Sequence, residues 1–419
     1  MAWSEKALLH RATRPLLHLG RDRADSAGPG REDDSVNVSG DWLTRPETQA
    51  VFAMLSDAGH QVFAVGGCVR NALLEVPVTD VDMSTDALPE EVVALAKAAG
   101  LKPIPTGLDH GTITVVSGGI PHEITSFRKD VATDGRRAVV AFSKDVTDDA
   151  RRRDFTMNAL YVDRLGAVLD PLDGLEDLRA RVLRFIDVPS QRIREDYLRI
   201  LRFFRFHAWY GDPSQGMDVE ALAAIAETFE GLEQISKERI GAEVVKLLAA
   251  RDPAPAVAAM RQTGVLNQIL PGSDDKALGP LVHLEEIAGQ QANPMRRLAA
   301  LGGQGVGDSL RLSNRQVKEL ESLHGGIESS ESLAAIAYQE GADLALSIAL
   351  LRSAMLEMPL APDFAKDIAQ WAVAQFPVTA SDLMPKFSGK ALGERLKQME
   401  SDWIASGFSL SRDALLRDL

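Results

Sequence analysis

Apolar and polar positions follow two rhythms along this chain, and the rhythm changes near residue 190. From Pro46, TQAVFAMLSDAG carries apolar residues at helical spacing and closes on Gly59, so it predicts a helix. HQVFAVGG reads as a short apolar strand running into a turn, VRNALLE as a short helix and TDVDMST as a strand. PEEVVALAKAAG predicts a helix with Pro89 near its start and Gly100 as its stop. TITVVS and IPHEITSF flank Gly118-Gly119 and predict a β-hairpin on a two-residue turn. MNALYVD and AVLDPLDG add two short strands. Beyond about residue 190 the strand signals stop, and helical periodicity runs nearly to the end, broken by Pro and Gly at 252–255, 271–272, 302–307 and 359–362. The fold class is α+β: a head with a small mixed sheet, then a long all-α section.

The first 45 residues share neither rhythm. Their mixed charge and scattered Gly and Ser read as a flexible N-terminal extension, residues 1–45. Its basic start faintly resembles a transit peptide, and it lacks the continuous apolar core of a secretory signal. At 419 residues the chain has room for two to four domains, and no apolar run approaches a membrane span. LALSIALL (344–351) is ended by Arg352. A single cysteine, Cys68, excludes an internal disulfide and suits a reducing, cytoplasmic setting. The formal net charge of −14 argues against a chain coated in nucleic acid, so any RNA contact needs a local basic patch.

Three clusters carry candidate chemistry. In VGGCVRNALLEVPVTDVDMST (65–85), Gly66 and Gly67 permit a sharp turn and a close backbone approach, and a helix start favours an anion. Arg70 adds a bidentate phosphate donor. On a strand, Asp80 and Asp82 face the same way with Cα atoms about 6.5 Å apart, so both carboxylates can converge on one hard cation or bridge two Mg²⁺ ions. A solvated strand end gives the same D-x-D pattern; the order and spacing of the whole stretch make it specific. In DDARRRDFTMNAL (148–160), Arg153 and Asp154 lead into apolar sequence, which suits an arginine on a triphosphate and an aspartate on a ribose hydroxyl, or an ordinary basic turn. IREDYLRILRFFRFHAWY (193–210) reads as one helix on which Asp196, Arg199, Arg202 and Arg205 recur every three residues. Each step lags about 60°, so only neighbours such as Asp196 with Arg199 can meet. An amphipathic helix with internal ion pairs explains the apolar residues well, and explains less well why five arginines, counting Arg192 and Arg194, crowd a helix with large aromatics.

Taken together, VGGCVRNALL, TDVDMST, HEITSFRKD, RRRDFTMNAL, DPLDGLEDL and EDYLRILRFFRF, in that order over about residues 60–210, resemble the class II tRNA nucleotidyltransferase and poly(A) polymerase family. The resemblance implies a nucleotidyltransferase head (46–185), a helical neck that recognises the base (186–255) and a helical body and tail that bind tRNA (256–419). It implies template-independent addition of nucleotides to a tRNA 3′ end from CTP and ATP, with Mg²⁺ and release of pyrophosphate. Carried over by residue, Gly66, Gly67 and Arg70 hold the triphosphate, Asp80 and Asp82 the metal, and Arg153 and Asp154 the nucleotide. Asp196, Arg199, Arg202 and Arg205 contact the nucleotide from the helix. Glu123, in HEITSF, is a candidate third catalytic acid or a strand-edge carboxylate. The family often has Asp where this chain has Asn71, which is assigned no role, and Gly where it has Glu75, which suggests a turn outside the left-handed region.

Within the segment 128–142, Gly135 and its polar neighbours suggest a mobile loop over 130–142 whose Arg136 and Arg137 reach RNA or nucleotide phosphate, or an ordinary solvated surface loop; enzymes limited to CC addition tend to lack such a segment. Complete CCA addition is therefore the expected activity, with A-only addition and poly(A) synthesis as alternatives. An RNA-binding protein that has lost catalysis is the alternative from another class.

Overall fold

The computed structural model describes residues 36–107, 111–134 and 137–417. Residues 1–35 of the expected extension lie outside the described residues, as do Gly135 and Arg136.

The head is built on a seven-stranded mixed sheet. Its strands are β1 (Val62–Val65), β2 (Asp82–Thr85), β3 (Lys102–Gly107), β4 (Thr112–Ser117), β5 (Ile120–Ser126), β8 (Tyr161–Val162) and β9 (Val168–Leu169), and β6 (Arg128–Asp134) pairs with β7 (Arg137–Phe142) as a separate hairpin. The order across the sheet is β3-β4-β5-β2-β1-β8-β9, and β2 runs parallel to β5 while the other pairs are antiparallel. The parallel register sets Asp82 opposite Glu123. Gly118 and Gly119 take φ of 58° and 86°, the two positive values that a tight two-residue hairpin turn demands.

Early helices cover this sheet: α1 (Asp41–Thr44), α2 (Pro46–Ser56), α3 (Gly67–Leu73) and α4 (Pro89–Ala98). Phe52 and Leu55 of α2 and Val92 and Ala96 of α4 share one buried cluster with Met83, Ile113 and Ile124 of the strands. The head begins earlier than residue 46. Val38 N–H donates to Gly166 O at 2.9 Å, Asn37 bridges Ala167, and Val38 and Leu43 are buried. A Cβ on Gly166 would sit 2.2 Å from Val38 O, so the close approach requires glycine there.

Several expectations change. β3 carries Pro103 and Pro105, which hid it; it is an edge strand, where a missing N–H is tolerated. Where a loop is expected, residues 128–134 and 137–142 pair as antiparallel strands. MNALYVD shrinks to a 3₁₀ turn, Thr156–Asn158, and the two residues of β8. Glu75 does enter the left-handed region, at φ 57°. It ends α3 in a Schellman pattern, with Val76 N–H on Asn71 O and Glu75 N–H on Ala72 O.

The chain leaves the sheet through α5 (Val146–Arg151, between β7 and β8) and α6 (Gly174–Ala180), then enters α7 (Pro189–Glu195) and α8 (Leu198–Tyr210). The single helix expected over 193–210 is two helices. Asp196 is extended, at φ −152° and ψ 104°, and its carboxylate accepts from Leu198 N–H at 3.1 Å to cap the restart. Phe203 and Phe206 of α8 pack on Phe155 and Phe185 of the head, with ring centroids 5.4–6.3 Å apart. This apolar seam fixes α8 against the strands. Further on come α9 (Val219–Thr228), α10 (Lys237–Leu248), α11 (Ala254–Gln262), α12 (Val265–Ile269), α13 (Leu278–Ile287) and α14 (Pro294–Leu301), followed by helices to Leu416. Arg296 and Arg297 of α14 are buried on Glu285 of α13, and Arg297 also donates to Leu248 O and Ala250 O at the end of α10. No described residue after Leu169 lies in a strand, as the loss of strand signals predicts. Among the described residues no helix is long and apolar enough to cross a membrane.

Candidate active site

The site forms where β1 ends. After Val65 the backbone turns at Gly66, φ 74°, and α3 begins at Gly67. A Cβ on Gly66 would lie 3.4 Å from Arg153 Nη1, and one on Gly67 would lie 3.8 Å from Arg70 Nη2. The glycine turn therefore leaves room beside two of the expected phosphate donors.

Asp80, Asp82 and Glu123 line the acidic side. Asp82 opens β2, Asp80 precedes the strand, and Glu123 stands opposite Asp82 on β5. All three are exposed. Asp80 accepts from Thr79 Oγ1 at 3.1 Å; among the described residues, the carboxylates of Asp82 and Glu123 accept no protein hydrogen bond. Crowding by protein raises the Asp82 pKa first, Glu123 raises it further, Arg153 opposes, and Asp80 adds to the rise. Like charges held together without donors favour a cation. Among the described residues no group of three or more His, Cys, Asp or Glu forms a metal cage. Two carboxylates still suit Mg²⁺, which commonly takes its other ligands from water and substrate phosphate.

The cationic side is organised by Asp149, which the sequence reading passed over. Asp149 is fully buried and receives Arg153 Nη2 (3.0 Å), Arg152 Nε (2.8 Å), Tyr161 OH (2.8 Å) and Ser84 Oγ (3.1 Å). Burial alone would raise its pKa; Arg153, Arg152 and the Tyr161 hydroxyl outweigh that and hold it below the ordinary value. Arg153 also donates to Tyr161 OH and Ser84 Oγ, both at 3.1 Å. A legible signal existed: Asp149 stands four residues before Arg153 on α5 and its C-terminal turn.

Asp154 joins head to helix. Arg202 donates to its Oδ2 through Nε at 2.8 Å and through Nη2, while Phe155 N–H and Asn158 Nδ2 each reach Oδ1 at 2.9 Å. Burial opposes ionisation, yet Arg202 and then Asn158 pull the Asp154 pKa down to about 2. Four donors occupy the carboxylate, so the ribose contact expected of Asp154 requires breaking the Arg202 pair.

The remaining helix residues are also partnered, but not as sequence neighbours. Asp196 accepts from Arg239 Nη2 at 2.7 Å rather than from Arg199. Arg199 donates to Glu195 at 2.6 Å, to Arg192 O at 2.8 Å and to Arg152 O at 3.1 Å. Arg192 also reaches Glu195. Arg205 donates to the buried Glu243 at 2.6 Å. Arg70, Arg202 and Arg205 all stack on Phe206, with guanidinium carbons 5.0, 5.1 and 4.4 Å from the ring centre. Thus Arg70, Arg202 and Arg205 gather on one aromatic ring, Arg153 borders the glycine turn, and Arg199 and Asp196 stand at the α7–α8 break.

A glycine turn, open acids beside paired strands and a cluster of partly buried arginines on a mixed sheet define a nucleotidyltransferase head carried on helices. The Poly A polymerase head domain family matches residues 62–184, and the family described as a probable RNA and SrmB-binding site of polymerase A matches residues 216–276. CCA tRNA nucleotidyltransferase 1, mitochondrial, of Mus musculus is 34% identical over 409 residues, covering 89% of this chain and 92% of its own length. A CCA-adding enzyme of Lactobacillus delbrueckii is 41% identical over 234 residues, covering 55% of this chain and 57% of its own. The crystal structure of the Bacillus stearothermophilus CCA-adding enzyme in complex with CTP is similar with a TM-score of 0.62 and 26% identity, over 87% of this chain and 94% of that one. The chain belongs to the class II CCA tRNA nucleotidyltransferase family.

The Asp154 pair has a definite pH signature. A carboxylate whose folded pKa is depressed stabilises the fold above its unfolded pKa, and that contribution is lost as pH falls through the folded value. Wild type is expected to melt above Asp154→Asn at pH 6. The gap should close between about pH 4, the ordinary carboxylate range, and about pH 2, the folded value. Thermal melts of both proteins across that window check this; a gap independent of pH contradicts it.

Proposed function

We propose that this protein adds C, C and A in turn from CTP and ATP to the 3′ end of tRNA, without a nucleic-acid template and with release of pyrophosphate. One observation carries the reading: Asp82 stands beside Asp80 and Glu123 with no protein donor among the described residues, next to a glycine turn bordered by Arg153 and Arg70. That arrangement has an open place for a cation and, beside it, donors for a polyphosphate.

In this reading Asp80 and Asp82 hold Mg²⁺, and Glu123 is a third acid near it. The ion supplies Lewis acidity that favours ionisation of the RNA 3′-hydroxyl and shields charge on the leaving pyrophosphate. Arg70 and Arg153 orient the triphosphate, with Gly66 and Gly67 leaving the space it needs. The 3′ oxygen bonds to the α-phosphorus as the bond to pyrophosphate breaks, so no side-chain nucleophile is required.

Asp196 and Arg199 supply base choice, with Arg202 holding α8 to the head through Asp154 and Arg205 holding it to α10 through Glu243. Cytosine and adenine each present an amino donor beside a ring acceptor, whereas uracil and guanine present the reverse. A carboxylate only accepts and a guanidinium only donates, so the pair matches C and A. Both residues have protein partners, Arg239 and Glu195, and a nucleotide base replaces those contacts when it binds. Residues 186–255 form the neck and 256–419 the tRNA-binding body and tail. The single cysteine is buried and free, and we place the reaction in the cytoplasm.

Incorporation of radiolabelled nucleotide into tRNA lacking its CCA end, with CTP alone, ATP alone and both, tests the activity. Two additions from CTP and a third only with ATP are expected. Addition of A alone points to A-adding activity or poly(A) synthesis, and no addition points to an RNA binder. Asp80→Ala and Asp82→Ala should each lose at least about a hundredfold in kcat while remaining folded; near-normal turnover in Mg²⁺ would remove the metal assignment. Asp196→Ala should lower the ratio of kcat/KM for CTP over UTP. An unchanged ratio moves base recognition away from Asp196.

A further inference from the structure

Arg70 differs from every other arginine at the junction of head and α8. Arg152 and Arg153 share Asp149, Arg192 and Arg199 share Glu195, Arg202 has Asp154 and Arg205 has Glu243. Arg70 is only 6% exposed, and among the described residues no carboxylate lies within ion-pair distance of it. Neutral acceptors hold it instead. Nη1 donates to Asn158 Oδ1 at 2.6 Å, and Nη2 donates to Asn71 Oδ1 at 3.0 Å and to Tyr210 OH at 2.9 Å. Nε is buried without a partner. A guanidinium has five N–H donors; three are used here, leaving Nε–H and one Nη1–H. Burial depresses its pKa, which marks the cost of a desolvated cation awaiting a counter-charge.

Tyr210 is the last residue of α8, one turn beyond Phe206 on the same face. Its ring lies 4.1 Å from the Arg70 guanidinium carbon, so the ring covers the flat side of the cation while the hydroxyl holds one edge. A neutral hydroxyl fixes the direction of the guanidinium without cancelling its charge.

We propose that Tyr210 is a positioning residue: it clamps Arg70 so that its uncompensated charge is held beside the Gly66-Gly67 turn, where the incoming triphosphate binds. Because Tyr210 ends the helix that begins beside Asp196 and Arg199, the same helix that meets the base also sets the phosphate donor. The inference rests on the reading of Arg70 as a triphosphate ligand.

The test compares wild type, Tyr210→Phe, Tyr210→Ala, Arg70→Ala and Arg70→Ala/Tyr210→Phe. It reads kcat and KM for CTP and ATP, and binding of inorganic tripolyphosphate by calorimetry. Tyr210→Phe keeps the stacked ring and loses one hydrogen bond, so KM for both nucleotides should rise by about two- to tenfold with kcat and the CTP/UTP ratio little changed. Tyr210→Ala should lose more, about ten- to a hundredfold, and tripolyphosphate binding should weaken in parallel. In the Arg70→Ala background Tyr210→Phe should add nothing. A normal KM in Tyr210→Phe, or an effect undiminished in that background, overturns the clamp while leaving Arg70 a ligand. Unaltered tripolyphosphate binding in Arg70→Ala overturns both the clamp and that assignment.

Discussion

The ion pair of the buried Asp154 with the half-buried Arg202 is the contact on which the arrangement of head and helix depends. Arg202 comes from α8 and Asp154 from the turn before β8, and the Asp154 carboxylate, buried and ionised, needs the Arg202 charge beside it. Removing Arg202 leaves the buried Asp154 carboxylate without its counter-charge, which destabilises the ionised form. The aromatic seam of Phe155, Phe185, Phe203 and Phe206 draws α8 onto the sheet, but stacked rings tolerate some sliding. The ion pair, with its two hydrogen bonds, fixes one register. That register places Arg205 on Glu243, Arg199 beside Glu195 and the Tyr210 ring over Arg70.

The same logic reconciles an acidic protein with an anionic substrate. A net charge of −14 gives no long-range pull on RNA or nucleotide. The useful cations are instead concentrated in one desolvated seam, where each is held by a carboxylate or by neutral acceptors. In a low-dielectric setting a fixed guanidinium acts more strongly than one in water. The acidic side is built the opposite way: Asp82 and Glu123 are left open, without donors among the described residues, and Glu123 raises the Asp82 pKa, a repulsion that a cation would relieve.

Much of this was legible in sequence wherever a local rule decides. Gly118-Gly119 requires positive φ twice and makes its hairpin; Gly59 and Gly100 lie just beyond the ends of helices as expected. The resemblance supplied the family, which the similarity to known enzymes bears out. Partnerships across long sequence distances were not legible. Spacing suggested Asp196 with Arg199, whereas Asp196 meets Arg239 and Arg199 meets Glu195. The break at Asp196 was hidden because apolar periodicity runs through it, and β3 was hidden by two prolines that only an edge position permits. Asn71, assigned no role, accepts from Arg70 and donates to Pro77 O. Nothing local marks Tyr210, whose partner lies 140 residues away.

The most direct test of the head-to-helix lock is a double-mutant cycle on Asp154→Asn and Arg202→Gln, read as kcat/KM for C addition to tRNA lacking its CCA end. If the pair sets the register of α8, either change alone destroys the lock and the second adds little. The account predicts a coupling of at least about 2 kcal/mol, roughly thirtyfold in kcat/KM. Losses that simply add would mean that the two residues act independently and would contradict it.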